Sequence, residues 1–427
     1  MKEVTLAYGR SGLTVGVPDD ARVVVPRDVP GLPDQGQAVI DALGAPVEGP
    51  SLAEHYAAAA RRAARTGGRP RVAVVFPDVT RPMPNRTVLP PLLAELEARG
   101  ARPSEIELLC ATGSHRAASH DELVELVGGD IVARFPLHQH QADGDGHVEV
   151  GRVDGVPVRI DRRYVDADLR ILTGFVEPHF FAGFSGGPKG ACPGLASLDT
   201  ILEAHSPRRI ADRRATWLVT EGNPVHDFVR AAVDLVPPAL SLDVAINAGG
   251  ELTAVFAGPL PAGHAAACRF VEDAVVQPAG DPYDVVVSTN GGYPLDRNLY
   301  QAVKGMAAAE RVVRPGGTIV MAAACADGTP GGGAFARLLA AAADVDALHG
   351  DAGEPEPDRW QAQVLGRVLR RAAVWLYSDG LSDAEVRGAH LRPVADVAGA
   401  LSEALAASGG RVCVLPYGPL TVASSST

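Results

Sequence analysis

The run Val72-Ala73-Val74-Val75-Phe76 carries no polar side chain, and a polar loop and then a helical pattern follow it. A strand that is apolar on both faces has to be covered on both faces, as in a parallel sheet clothed by helices. The helix behind it has Pro90 and Pro91 near its first turn, Leu92, Leu93 and Leu96 on one face, and Gly100 as a stop. The succession then returns. Residues 106–111 read as a second strand, and Ser119-x-x-Glu122 is a capping-box signature that opens a helix through Leu123, Leu126 and Val127. Leu169-Arg170-Ile171-Leu172-Thr173 is a third strand. Val285-Val286-Val287-Ser288, a helix over 299–312 and a strand over 317–321 form a further βαβ unit. Two excursions interrupt the pattern: a hairpin within 144–163, and another joining 242–247 to 252–257 through Gly249 and Gly250.

A chain of 427 residues exceeds what one core usually organises. Pro278-Ala279-Gly280-Asp281-Pro282 reads as a hinge. The expected architecture is α/β, with two α/β domains of mostly parallel sheet and an active-site cleft between them. Residues 1–277 form the N-terminal cofactor-binding domain, joined by the closing strand at 411–427, and residues 283–410 form the C-terminal one. The opening residues 1–10 read as a strand rather than a signal peptide. Five scattered cysteines without a CxxC fit a reduced, cytoplasmic protein. No run of eighteen apolar residues suggests a spanning helix. A net charge of −12 argues against nucleic acid or an anionic membrane as partner, but not against a small anionic substrate held by local charge.

Open α/β sheets bind ligands at the carboxyl ends of their strands. Asp78 and Arg81 follow the first strand, His115 the second, and His179 and Lys189 the third; Gln301 and Lys304 share one face of the helix after 285–288. Singly, each has an ordinary reading: a turn aspartate, a surface ion pair, a loop histidine, a solvated helix face. The constellation is what points to one interdomain cleft. His138, His140 and His147 are spaced like metal ligands, but they lie in a polar segment and read as surface loop.

The densest stretch runs from Gly174 through His179, Ala182-Gly183-Phe184-Ser185-Gly186-Gly187-Pro188-Lys189, with His205 beyond. It is neither a P-loop, since Pro188 precedes the lysine and Gly190 follows it, nor GxGxxG. The amides of Ser185, Gly186 and Gly187 offer a nest for a phosphate. His205 closes a helix marked by Leu195, Leu198, Ile201 and Leu202. A helix C-terminus makes imidazole more basic, which suits a metal ligand; a helix-capping histidine is the plainer alternative.

These residues resemble the lactate racemase family, the nickel-pincer racemases. The likeness rests on Asp78-Val79-Thr80-Arg81-Pro82, Gly113-Ser114-His115-Arg116, His179-x-x-Ala182-Gly183-x-Ser185-Gly186-Gly187-x-Lys189, His205, Tyr300-Gln301-x-x-Lys304 and Trp360, and it covers essentially the whole chain. The resemblance implies a racemase or epimerase inverting C2 of a 2-hydroxy acid, lactate or a relative. Its cofactor would be a nickel-pincer nucleotide (a nickel pyridinium bisthiocarboxylic acid mononucleotide) tethered to Lys189 through a thioamide, with His205 as the protein ligand to nickel. Hydride leaves the substrate for the cofactor while His115 or His179 takes the hydroxyl proton. Arg81 and Lys304 hold the carboxylate; Gln301 and Tyr300 orient substrate or cofactor; Trp360 shields the site; Asp78, Ser185, Gly186 and Gly187 contact the cofactor. Partners would include the proteins that make, sulfurise and load nickel into the pincer nucleotide. Rival readings are the same chemistry on malate, an aryl-lactate or a sugar acid, a metal-dependent hydrolase, and a non-catalytic nucleotide-binding protein.

Overall fold

The computed structural model describes residues 1–329, 334–349 and 354–425. In its first six-stranded sheet Leu252–Gly258, Leu240–Ile246, Leu169–Phe175, Val72–Pro77, Ile106–Ala111 and Leu137–Gln139 lie side by side. All are parallel except Leu252–Gly258, the return arm of the hairpin expected through Gly249 and Gly250. The central strand alternates between two cores. Val72, Val74 and Phe76 join one with the helices Gln35–Gly44, Leu52–Ala64 and Asn85–Ala98, and Ala73 and Val75 join the other. Full burial of such side chains stabilises by roughly 1.5–3 kcal/mol each, which is why an unbroken apolar run suits this place. The helix Asn85–Ala98 begins a turn earlier than its prolines suggested. The Asn85 side chain bonds Pro77 O, and Val88 and Leu89 are already in the core, so packing extends the helix ahead of Pro90.

The second sheet is parallel throughout, in the order Arg392–Pro393, Ala372–Tyr377, Val313–Ala322, Tyr283–Thr289, Val412–Leu415 and Arg22–Val23. The closing strand therefore does not return to the N-terminal unit. Val412–Leu415 is buried along its whole length, and the helix Val397–Ser408 before it packs on this second sheet, so a short link through Gly409 delivers the strand beside Tyr283–Thr289. The expected hinge is also a strand: Val276–Gly280 pairs with Val422–Ser425. Among the described residues no helix is long and apolar enough to cross a membrane.

Strand order positions the site. In the first sheet the chain steps one way from Val72–Pro77 to Ile106–Ala111 and Leu137–Gln139, and the other way to Leu169–Phe175 and Leu240–Ile246. The loops leaving the two strands on either side of that reversal diverge and open a crevice. They are the loops that carry Asp78 and Arg81, and His179 and Lys189.

Candidate active site

A cavity of about 970 Å³, open mouth included, lies at that crevice and is closed from the other side by Tyr300, Gln301 and Lys304 on the helix Leu299–Glu310 and by Trp360 on the helix Arg359–Arg371. Every residue singled out above as a site candidate lines it except Gly187, and Ser114, Phe181 and Gln361 line it besides.

Asp78 is buried, yet three groups answer its charge. His115 Nδ1 lies 2.8 Å from Asp78 Oδ2, and Thr80 Oγ1–H donates to Asp78 Oδ1 at 2.7 Å. Burial pushes the carboxyl up, but His115, Arg81 and Thr80 outweigh it and hold Asp78 below its ordinary value. An ionised carboxylate only accepts, so His115 donates through Nδ1–H and its Nε2 is left for the cleft.

His179 is in the opposite state. Its Nδ1 accepts the Ala182 N–H at 3.3 Å, which leaves the ring hydrogen on Nε2. Phe180 stacks on the ring at 4.9 Å and Phe181 meets it edge-on at 4.4 Å. Burial, then the cations Lys189, Lys304 and Arg81, then His205, hold its pKa well below the usual histidine range. Arg81, Lys189 and Lys304 reach no carboxylate within 4 Å among the described residues; Asp78 and Glu177 act on these cations only from farther off, so the cleft keeps a positive excess. Burial, helped by Arg81 and Lys304, pushes Lys189 down to about 7; burial and Arg81 bring Lys304 to about 8. In competitive acetylation of the apoprotein across pH, Lys189 should reach half-maximal reactivity near pH 7, about three units below an unperturbed lysine amine. A Lys189 midpoint above pH 9 would mean that the cleft is wetter and less positive than this.

His205 caps the helix Leu198–Ala204, as its spacing suggested, and Nδ1–H donates to Ile201 O at 2.8 Å. The expectation of a more basic imidazole is reversed. Burial, and then Lys189, pull it down to about 3 against the raising effect of the helix carbonyl. A helix end is worth about 2 kcal/mol at most, less than the desolvation of a buried cation. The ring is neutral with a free lone pair on Nε2. Trp360 tilts over it at 4.7 Å, and Trp360 Nε1–H donates to Tyr300 OH at 2.8 Å.

The glycine turn differs from the phosphate nest expected of it. Gly187 N–H donates to Asp243 Oδ1 at 2.7 Å and Ser185 N–H to Glu177 O at 2.9 Å, while Ser185 Oγ–H donates to Phe175 O. Two of the three amides thus face inward. Gly186 has φ +76, and a Cβ there would sit 2.8 Å from Asp243 Oδ1; one on Gly187 would sit 2.4 Å from the His264 ring. Glycine is required by what lies behind the turn. Asp243 and His264, whose Nε2–H donates to Ser185 O at 2.8 Å, escaped the sequence reading. The signal for Asp243 was a lone carboxylate inside the buried strand Leu240–Ile246. Cys192 is buried away from the cleft, its thiol pushed up to about 12 by burial.

The three spaced histidines are not a surface loop. His140 is buried, with Nδ1 3.3 Å from Asp161 Oδ2 and Nε2 bonded to Ala196 O, and His147 edges onto it at 5.1 Å. Only His140 is a satisfied core histidine; His138 is half-buried with Nε2 3.6 Å from Asp161 Oδ2, and His147 is half-buried with Nδ1 on Gly144 O. Among the described residues no three His, Cys, Asp or Glu side chains converge as a metal site.

Comparison with known proteins identifies the family. The lactate racemase N-terminal domain matches residues 8–217 and the lactate racemase C-terminal domain residues 279–422. The chain is 33% identical to the lactate racemase of Thermoanaerobacterium thermosaccharolyticum, with 98% of each chain covered. It is 36% identical to that of Lactiplantibacillus plantarum, over 82% of this chain and 84% of that one. The solved apoprotein structure of the Thermoanaerobacterium enzyme superposes with a TM-score of 0.89 over 99% of this chain and all of that one, at 32% identity. A Thermotoga maritima protein at 18% identity and a TM-score of 0.64 shares the fold alone. The chain belongs to the lactate racemase family and is an isomerase.

Proposed function

We propose that the protein racemises lactate, with His115 and His179 exchanging the hydroxyl proton, Arg81 and Lys304 holding the carboxylate, and a nickel-pincer nucleotide tethered to Lys189 with His205 on its nickel. The observation that carries this reading is one cleft in which Arg81, Lys189 and Lys304 lie without a close carboxylate and two histidines meet, His115 steadied by Asp78 and His179 by the Ala182 N–H. Racemisation needs both at once, because the proton taken from one enantiomer has to be returned from another direction.

The residues fit the cofactor. Lys189 is an amine without an acid partner among the described residues, deprotonated in good part near neutrality, and so able to form the thioamide. His205 is held neutral with Nδ1–H fixed on Ile201 O and Nε2 free, the state a nickel ligand requires. Held by Lys189 and His205, the nickel-pincer nucleotide would supply reversible hydride-accepting chemistry for the substrate C2 hydrogen. Cofactor-assembly proteins would have to make, sulfurise and load it.

The chain's own residues do the rest. Arg81 meets the carboxylate as a planar fork and Lys304 as a point charge; one such cation at about 4 Å contributes roughly 4 kcal/mol at an effective dielectric of 20. A substrate anion neutralises Arg81 and Lys304, and acylation removes the Lys189 charge. Those are the cations that depress His179, so its pKa climbs toward the range where it exchanges protons at neutral pH. Asp78 steadies His115 with its Nε2 toward the cleft. Tyr300, Gln301 and Trp360 close the site over the substrate and keep water out.

The test is initial racemisation rates of the loaded enzyme on lactate, malate, an aryl-lactate and a sugar acid. Lactate should be interconverted in both directions. Turnover of a longer acid but not lactate would overturn the substrate; none on any of them would overturn the reaction.

A further inference from the structure

We infer that the protein holds a second oxyanion site, in a separate cavity between its N-terminal and C-terminal halves, for a small metabolite that carries a phosphate or carboxylate together with a hydroxyl. The cavity measures about 1,100 Å³ with its mouth, and no residue lines both it and the catalytic cleft. Trp217 forms its N-terminal wall; Arg311, just past the helix Leu299–Glu310, and Gln363, Arg367 and Arg371 on the helix Arg359–Arg371 form the other.

Its charge is unbalanced. The two acids that line it are already engaged, Glu310 with Arg367 at 3.0 Å and Asp212 with Arg214 at 3.1 Å. Arg311 and Arg371 reach no carboxylate within 4 Å among the described residues. Each is instead held by its Nε–H, Arg311 on Ala423 O at 3.2 Å and Arg371 on Val313 O at 2.9 Å. Anchored that way, the terminal nitrogens of two guanidinium groups are left for something else, in the fork geometry that matches an oxyanion. Burial, with Arg367 adding to it, holds Arg311 below the usual guanidinium value against the raising effect of the neighbouring Glu310.

Two buried neutral groups add to this. Trp217 and Gln363 are each 3% exposed, yet among the described residues Trp217 Nε1 and Gln363 Oε1 have no hydrogen-bond partner. An unmade bond on a buried polar atom costs stability, so a built protein site normally fills it. Gln363 Nε2–H donates to Pro207 O at 3.0 Å, which fixes the amide and leaves Oε1 as acceptor. The indole N–H is a donor for an oxyanion, and the glutamine oxygen is an acceptor for a hydroxyl. Donors from two arginines and an indole beside one acceptor describe a hydroxylated anion rather than a bare cation or an apolar body.

Calorimetric titration of the cofactor-loaded enzyme with inorganic phosphate, glycerol phosphate and glycerate tests this and separates the phosphate from the carboxylate source. At least one probe should bind wild type and lose about tenfold or more in affinity in Arg371→Gln and in Arg311→Gln, and several-fold in Trp217→Phe, which keeps the ring and removes the N–H. That binding should survive Arg81→Gln, and Arg371→Gln should racemise lactate at the wild-type rate in probe-free buffer. The inference falls if no probe binds, or if binding is unchanged in Trp217→Phe and Arg371→Gln and disappears only in Arg81→Gln. Trp217→Phe is the arm least exposed to misfolding, and phosphate density between Arg311 and Arg371 in soaked crystals would decide the matter without any variant.

Discussion

Protein carrying Lys189→Ala, produced together with the cofactor-assembly enzymes, should emerge at the mass of the bare chain and racemise lactate at background. Wild type should carry one covalent adduct. Lys189 is the one amine on the glycine turn, and removing it deletes the nucleophile, so the loss is complete rather than graded. Misfolding is not the expected cause. A buried ammonium without an acid partner costs stability, so the apoprotein of Lys189→Ala should melt no lower than wild-type apoprotein. The pH dependence has a definite sign. The unfolded lysine binds its proton up to 10.5 and the folded one releases it at about 7, so between these values the unfolded chain holds more protons and wild-type stability rises with pH. Lys189→Ala should lose that rise. His205→Ala supplies the contrast, since it should keep the adduct on Lys189 and lose nickel by metal analysis. An adduct of unchanged mass in Lys189→Ala would overturn the tether.

Much of this site was legible because parallel α/β sheets convert sequence order into place. Asp78, His115, His179 and Lys189 each follow a strand, and strands that run parallel put those positions on one edge. What could not be read was which neighbours those side chains would meet. The pairing of His115 with Asp78 depends on two loops from adjacent strands touching. The basicity expected of His205 from its helix end was reversed by burial, a property of the closed cleft and not of the helix. The glycines at 186 and 187 looked like room for a phosphate, whereas the room is taken by Asp243 and His264 from strands and helices distant in sequence. The closing strand was misplaced for a related reason: its apolar run specifies burial in some sheet, and only the helix packed before it decides which.

His115→Ala and His179→Ala should each lose about 10²–10⁴-fold in racemisation while keeping both the Lys189 adduct and nickel. The two variants should nevertheless differ in a way that a general structural defect would not produce. Losing the hydrogen on C2 and the hydroxyl proton turns lactate into its 2-keto acid, and only the proton step needs a histidine. If one histidine serves each enantiomer, a single-base variant still makes bound keto acid from one enantiomer and fails on the other. Acid-quenched single turnovers on each enantiomer should therefore release pyruvate with opposite preferences in the two variants. Asp78→Asn refines the assignment. It removes the charge that holds His115 with Nδ1–H inward and Nε2 outward, but it leaves the Ala182 N–H on His179 Nδ1 untouched. It should thus depress the enantiomer that depends on His115 and spare the other in the single-turnover assay. Equal losses on both enantiomers in all three variants would mean that one histidine does all the proton transfer, and the two-base reading would fail. The uneven hydrogen bonding of the pair argues otherwise: a cleft with one base has no use for a second histidine buried among cations with its donor nitrogen free.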